Sequence, residues 1–145
     1  MKNAGLIMAG IFLFICTLTD LRERSIHTLP AVCTALAAGV WRMAGEGDGP
    51  ADLIFSLFPA AFCLMAAFLS RQGIGYGDAL AAAVLGICTG AEFTLGVLLA
   101  AFTLAAVTGG IYCLIRHMTW KTELPFAPFL LAGFLLVLAA GLTYK

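Results

Sequence analysis

Long apolar runs, interrupted only by short polar patches, make up almost the whole of this chain. Its 145 residues are 62% hydrophobic and 11% charged, and its mean hydropathy is +1.03, whereas a soluble domain carries about 25% charged residues. A helix needs about 17 to 25 apolar residues to cross a bilayer. The sequence therefore predicts an all-α fold, a polytopic membrane helix bundle that forms a single transmembrane domain over residues 1–145.

Polar residues divide the chain into about six predicted transmembrane helices. The predicted helices cover about 4–20, 27–44, 51–70, 77–90, 92–116 and 125–144. The fourth is short, and only its ALAAAVLGIC core is firmly apolar. The N-terminal run resembles a signal peptide, but no A-x-A cleavage site follows it. We therefore expect it to be retained as the first span.

The charges indicate an orientation in the membrane rather than a nucleic-acid partner. Eight basic residues balance eight acidic ones, so no basic surface for nucleic acid is expected. The basic residues predicted on one side are Arg22, Arg24, Arg71, Arg116 and Lys121. The other side has Lys2, Lys145 and at most Arg42. The positive-inside rule puts the first group in the cytoplasm and both termini outside. This pattern predicts a multi-pass protein of the inner (cytoplasmic) membrane, with the lipid bilayer as its surroundings.

Two aspartates are expected at the cytoplasmic edge, where Asp20 ends the first predicted span and Asp78 begins the fourth. Taken alone, Asp20 is better explained by pairing with Arg22 or Arg24, and Asp78 is explained equally by capping of a helix N-terminus. A carboxylate at the bilayer centre costs about 3 kcal/mol, so acids within spans favour a functional interpretation. Two carboxyl groups held close cannot both ionise cheaply. One then keeps a proton and acts as an acid while the other draws a proton from water, as in an aspartic protease.

Small residues and prolines surround these two positions. Gly73, Gly75 and Gly77 form either a flexible turn or a backbone that accepts a substrate strand beside Asp78 at close range. Prolines such as Pro125 and Pro128 are ordinary near a helix start, where the first N–H groups have no partner.

The cysteines give no indication of a metal site. All five are isolated in apolar segments, without a C-x-x-C pair or a histidine at metal spacing. We expect them to be packing residues, and we predict neither a metal nor an organic cofactor.

Three motifs in order carry a family resemblance. GYGD at 75–78, the sequence LRERSI after Asp20, and PFAPFLLAG at 125–133 together resemble the type IV prepilin peptidases, which are GxGD-type aspartic proteases of the cytoplasmic membrane. The resemblance extends from Asp20 to Gly133.

The resemblance implies the roles of several residues. Asp20 and Asp78 would be the catalytic pair, Gly75 and Gly77 would shape the site, and the motif containing Pro125 and Pro128 would support it. The substrates would be prepilins or pseudopilins. Such a substrate is cut where a short basic cytoplasmic leader meets a hydrophobic helix, and pilus-assembly proteins would be further partners.

The chain departs from the family pattern at two places. Ile26 is followed by His27 and Thr28 instead of proline and asparagine, and Leu80 stands where the family usually has a lysine. The chain also lacks a cysteine-bearing N-terminal extension, so we expect a peptidase without N-methylation, similar to the short peptidases of tight-adherence or Flp-type pili.

Two alternative functions stay open. The first is a peptidase-like membrane protein that binds a pilin or an assembly partner without cutting it, which His27 and Leu80 favour. The second is a small transporter, which would need polar residues in mid-bilayer. The central parts of the predicted spans offer almost none beyond threonine and serine.

Overall fold

A computed structural model describes residues 2–23, 28–46, 49–69, 76–116 and 126–141 of the chain. The described residues are almost entirely helical, which confirms the predicted all-α class. The elements are α1 Lys2–Glu23, α2 Thr28–Trp41, a π-helical turn Arg42–Glu46, α3 Pro50–Ser56, α4 Phe58–Leu69, α5 Tyr76–Thr89, α6 Ala91–Arg116 and α7 Ala127–Ala139.

The third predicted helix, 51–70, is wrong as a single helix. Leu57 separates α3 from α4, and the N–H of Leu57 donates to the carbonyl of Ile54 at 3.1 Å in a tightened turn. Pro59 has no N–H with which to bond the carbonyl of Phe55, four residues before it, so the regular hydrogen-bond ladder cannot continue there.

Glycines end two of the helices. Gly90, at a φ of 90°, is the only residue between α5 and α6. Gly141, at a φ of 67°, follows the last turn of α7, and its N–H donates to the carbonyl of Leu138. The left-handed backbone suits glycine because it has no Cβ. The final helix therefore ends at Ala139 and not near residue 144, as the sequence predicts; residues 142–145 lie outside the described part.

The helix α5 is the centre of the bundle and packs against α1, α2, α3, α4 and α6. It is rich in small residues, and Ala79, Ala81 and Ala82 are all buried. A Cβ at Gly86 would overlap the carbonyl oxygen of Ser56, so the two backbones touch there. Close backbone contact through small residues is the way helices associate in lipid.

The outer surface of the bundle exposes many large apolar side chains. Among the most exposed side chains are Leu114 (83%), Phe68 (76%) and Ile54 (72%). A soluble monomer rarely shows extended apolar surface of this kind. Within the described residues, α6 is the one helix that is long and apolar enough to cross a membrane, over Ala91–Tyr112. Five further apolar helical segments are shorter, at 10–17 residues.

Candidate active site

The helices that carry Asp20 and Asp78 meet at one end of the bundle. Asp20 lies in the last turn of α1 and Asp78 in the first turn of α5, and these helices pack against each other. Gly5, near the start of α1, lies against the carbonyl of Cys88, near the end of α5. The two helices therefore run antiparallel, and both aspartates lie at the end opposite to this contact.

The contact between Gly5 and Cys88 also sets the register of the two aspartates. At the helical rise of 1.5 Å per residue, Asp20 lies about 23 Å and Asp78 about 15 Å from it. Their backbones are thus offset by about 8 Å along the helix axes. Both side chains are half-buried.

Asp20 contacts the start of α7. Its Oδ2 accepts a hydrogen bond from the backbone N–H of Ala127 at 3.3 Å. Ala127 is the first residue of α7, and the preceding residue, Phe126, makes no side-chain capping bond. The first N–H groups of a helix lack partners within it and carry its positive dipole end, which favours a carboxylate. Asp20 thus caps α7 from another helix.

This hydrogen bond brings Asp20 to the proline motif. Ala127 lies within PFAPFLLAG, and Pro128 follows it, half-buried, in the first turn of α7. A proline is tolerated there because the N–H it lacks would have no intrahelical partner. Pro125 lies outside the described residues.

Thr17 makes a second contact between α1 and α7. Its hydroxyl donates to the carbonyl of Leu13 at 2.8 Å and to the carbonyl of Ala127 at 3.3 Å. Neither Thr17 nor Ala127 was identified from the sequence. Threonines are ordinary in apolar helices, and nothing in the local sequence relates residues 110 positions apart.

Asp78 is the third residue of α5, because the helix begins at Tyr76. An acid in the first turn can accept a backbone N–H that lacks a partner within the helix, so the interpretation of Asp78 as a helix-capping residue stays a prediction. The carboxylate still lies at the favourable end of the α5 dipole. Cys63 of α4 lies close enough to interact with it electrostatically. Gly77 precedes Asp78 and is half-buried, whereas Gly75 lies outside the described residues.

Leu80, at the position of the family's lysine, is half-buried and packs against the apolar core. It therefore contributes packing and not charge near Asp78. The chain also departs from the family pattern at residues 26–28. Ile26 and His27 lie outside the described residues, and Thr28 is the first residue of α2.

The other acidic side chains that the structure describes lie elsewhere. Asp52 is exposed in α3 and accepts the N–H of Gly49 at 3.1 Å, and Glu92 is exposed in the first turn of α6. The described residues include no group of three or more His, Cys, Asp or Glu that could hold a metal ion. Cys16, Cys63 and Cys88 are buried and free, in line with a packing role, whereas Cys33 is exposed, so the expected packing role is wrong for it within this chain.

Comparison with protein families gives one match, to the type IV leader peptidase family, over residues 7–114. This segment is more than half of the chain and includes both aspartates. The chain belongs to the type IV leader peptidase family. The resemblance seen in the sequence is thereby confirmed, and the chain is a leader peptidase-like protease. The matched segment ends before α7, so the proline motif lies beyond it. Comparison with curated proteins and with solved structures found no match.

Proposed function

We propose that this leader peptidase cuts the basic N-terminal leader from a prepilin or pseudopilin at the cytoplasmic face of the inner membrane. Asp20 and Asp78 would be its catalytic pair. The observation that carries the proposal is the antiparallel packing of α1 and α5, which puts two half-buried carboxyl groups at one end of the bundle. Both lie in the segment matched by the family.

The proposed chemistry needs only the two carboxyl groups and water. One carboxylate takes a proton from water as the water oxygen attacks the carbonyl carbon of the scissile peptide bond. The protonated partner donates to the carbonyl oxygen, and a proton then passes to the departing amine as the C–N bond breaks. A coupled pair titrates as a unit, so the roles of acid and base belong to the pair. No metal or organic cofactor takes part.

The proposed substrate follows from the position of the pair in the bundle. The positive-inside rule puts the end with Asp20 and Asp78 in the cytoplasm, where a basic leader would lie while its apolar helix stays in the bilayer. Gly77, beside Asp78 in the first turn of α5, has no side chain that would keep a substrate away from the start of this helix. Gly75 and Pro125 are proposed to complete the site together with Pro128.

Leu80 supports the rival proposal, a protein that binds pilins or pilus-assembly partners without cutting them. The side chain packs against the core where the family usually has a lysine, so that positive charge is missing here. The same end of the bundle would then serve for binding alone.

Co-expression with a candidate prepilin tests the proposal against its rival. We expect the wild type to shorten the prepilin, and Asp20→Asn and Asp78→Asn each to abolish processing, because an amide cannot exchange the proton. Asp52→Asn is the matched control, since Asp52 is exposed on α3, a helix that meets α5 at Gly86 and not at the end with Asp78. The size of the pilin on an immunoblot measures processing, and the membrane fraction shows that each variant is present.

Processing that persists in Asp20→Asn or Asp78→Asn would show that the catalytic assignment is wrong. If the wild type shortens none of the pilin-like proteins, the binding protein without proteolysis becomes the better explanation.

A further inference from the structure

A single residue of α7 is held by α1 through both of its backbone polar groups. The N–H of Ala127 donates to Oδ2 of Asp20, and its carbonyl accepts from the hydroxyl of Thr17. Thr17 and Asp20 are three residues apart on α1, a spacing that puts them on one face of a helix. Ala127 is 1% exposed; its bond to Thr17 is buried and its bond to Asp20 is partly buried.

The Thr17 hydroxyl has two acceptors, and the longer, weaker of its two hydrogen bonds joins α1 to α7. A threonine hydroxyl has one proton. It lies 2.8 Å from the Leu13 carbonyl within α1 but 3.3 Å from the Ala127 carbonyl in α7. The Ala127 carbonyl also lies at the start of α7, where it can accept the N–H four residues later. Removing the hydroxyl therefore leaves no buried group without a partner, and its expected effect is a change of position rather than unfolding.

We infer that Thr17 is a positioning residue for the proposed reaction. It fixes the start of α7 against α1 so that the Ala127 N–H stays on the Asp20 carboxylate and holds that carboxylate in place. Thr17 does not touch the reacting atoms in this scheme. The inference rests on the proposed function for its effect on catalysis, whereas the contact between α1 and α7 is independent of it.

Kinetics of leader cleavage by the purified protein test the effect on catalysis. Thr17→Val keeps the branched side chain and removes the donor, and we expect kcat to fall by about three- to tenfold, as for the loss of one hydrogen bond. We expect KM to stay within about twofold, because Thr17 makes no substrate contact. Thr17→Ser restores the hydroxyl and should return kcat to within about twofold of the wild type.

Thr19 provides the matched control on the same helix. Among the described residues, its hydroxyl donates to carbonyls of α1, those of Ile15 at 3.1 Å and Cys16 at 2.9 Å. Thr19→Val thus removes the same group without a bond between helices, and we expect kcat to stay unchanged. If Thr17→Val does not accumulate, Thr17→Cys gives the comparison with a thiol, a weaker donor.

Hydrogen exchange at the single amide of Ala127, measured by mass spectrometry with fragmentation, is a readout that needs no cleavage. We expect Thr17→Val to speed exchange there by about three- to tenfold, and Thr19→Val to leave it unchanged. If the wild type cleaves no leader but exchange responds in this way, the proposed function fails and the contact stands. Two results would show that Thr17 has no positioning role in a wild type that cleaves. In the first, Thr17→Val matches Thr19→Val in both kcat and amide exchange. In the second, Thr17→Ser cleaves as slowly as Thr17→Val.

Discussion

Gly86 shows how a single residue determines the packing of this bundle. It lies in α5, and a Cβ at this position would overlap the carbonyl oxygen of Ser56, with the Thr94 hydroxyl at 4.0 Å. Ser56 is itself buried, and its hydroxyl bonds the carbonyls of Asp52 and Leu53 in the same helix. The backbones of α3 and α5 therefore touch at this position and leave no room for a side chain.

Gly86→Ala should destabilise the bundle because the added methyl group forces two backbones apart. Overpacking of this kind costs about 1–3 kcal/mol, and thermal unfolding in detergent measures the loss. Gly110→Ala is the control, since nothing lies within 4 Å of the added Cβ there. Alanine in an open helix is favourable by up to about 1 kcal/mol. Equal stability of Gly86→Ala and the wild type would show that the α3–α5 contact is looser than described.

At the scale of single residues, the sequence predicts which side chains are reactive more readily than it predicts which side chains are in contact. Asp20 and Asp78 stand out because charged groups are rare and costly in apolar segments. Ala127 and Thr17 do not, because an alanine and a threonine are common in such helices and their contact depends on the packing of α1 against α7. The role of Leu80 as a packing residue likewise depends on which side of α5 meets the core.

At the scale of the helix, Arg42 fixes the end of α5 that lies away from Asp78. Its Nη1 donates to the Ser56 hydroxyl at 3.3 Å and to the Ile87 carbonyl at 3.2 Å. Ile87 belongs to the last turn of α5, where carbonyl groups lack intrahelical partners and a positive charge is favourable. Although the sequence allows Arg42 to be counted as a loop charge, its guanidinium bonds within the bundle.

Arg42→Met should destabilise the contact between the π-helical turn, α3 and α5, because both hydrogen bonds of Nη1 are lost. The loss of bonds from a charged donor to partly buried acceptors costs about 1–3 kcal/mol, which unfolding in detergent would measure. Glu92→Gln, an exposed change in the first turn of α6, removes only an interaction with the helix dipole and should cost less than about 1 kcal/mol. If Arg42→Met were as stable as Glu92→Gln and the wild type, the proposed role of Arg42 in holding the end of α5 would be contradicted.

Helix boundaries follow from the sequence only where local chemistry sets them. Long apolar segments with polar ends locate the helices correctly, including the short α5, Tyr76–Thr89. The break before α4 has a local cause in Pro59, but a run as apolar as 51–70 obscures it. The end of α7 depends on the left-handed conformation of Gly141. The largely apolar sequence around Gly141 does not indicate that conformation.

At the scale of the whole molecule, orientation in the membrane is the feature that the charges predict. The positive-inside rule puts the end of α6 in the cytoplasm and the end of α7 outside. Alkaline phosphatase, which is active outside, should be active when fused after Gly141 and inactive when fused after Arg116. A fluorescent protein that folds only in the cytoplasm should give the reverse. The opposite pattern would move the two aspartates to the outer face and contradict cleavage in the cytoplasm.

The arrangement of the helices is what sequence reasoning cannot supply. The all-α class and the placement of Asp20 and Asp78 at one edge follow from counting apolar segments. The central position of α5 does not, because every helix here is apolar enough to be central, and close contacts such as Gly5 against Cys88 decide among them. Within the described residues, α6 is the one helix of full spanning length, and it carries the most exposed of the large apolar side chains, Leu114.

The most direct measurement is leader cleavage by the purified protein in lipid, with Asp20→Asn, Asp78→Asn, the double variant and Asp52→Asn compared in one assay. We predict that each catalytic substitution lowers kcat/KM by at least about 1000-fold, and that the double variant is no worse than either alone, because residues that act as a unit are not additive. Asp52→Asn should cleave like the wild type. Cleavage within about tenfold of the wild type by either single variant, or a double variant far below both, would contradict a reaction that depends on Asp20 and Asp78 acting together.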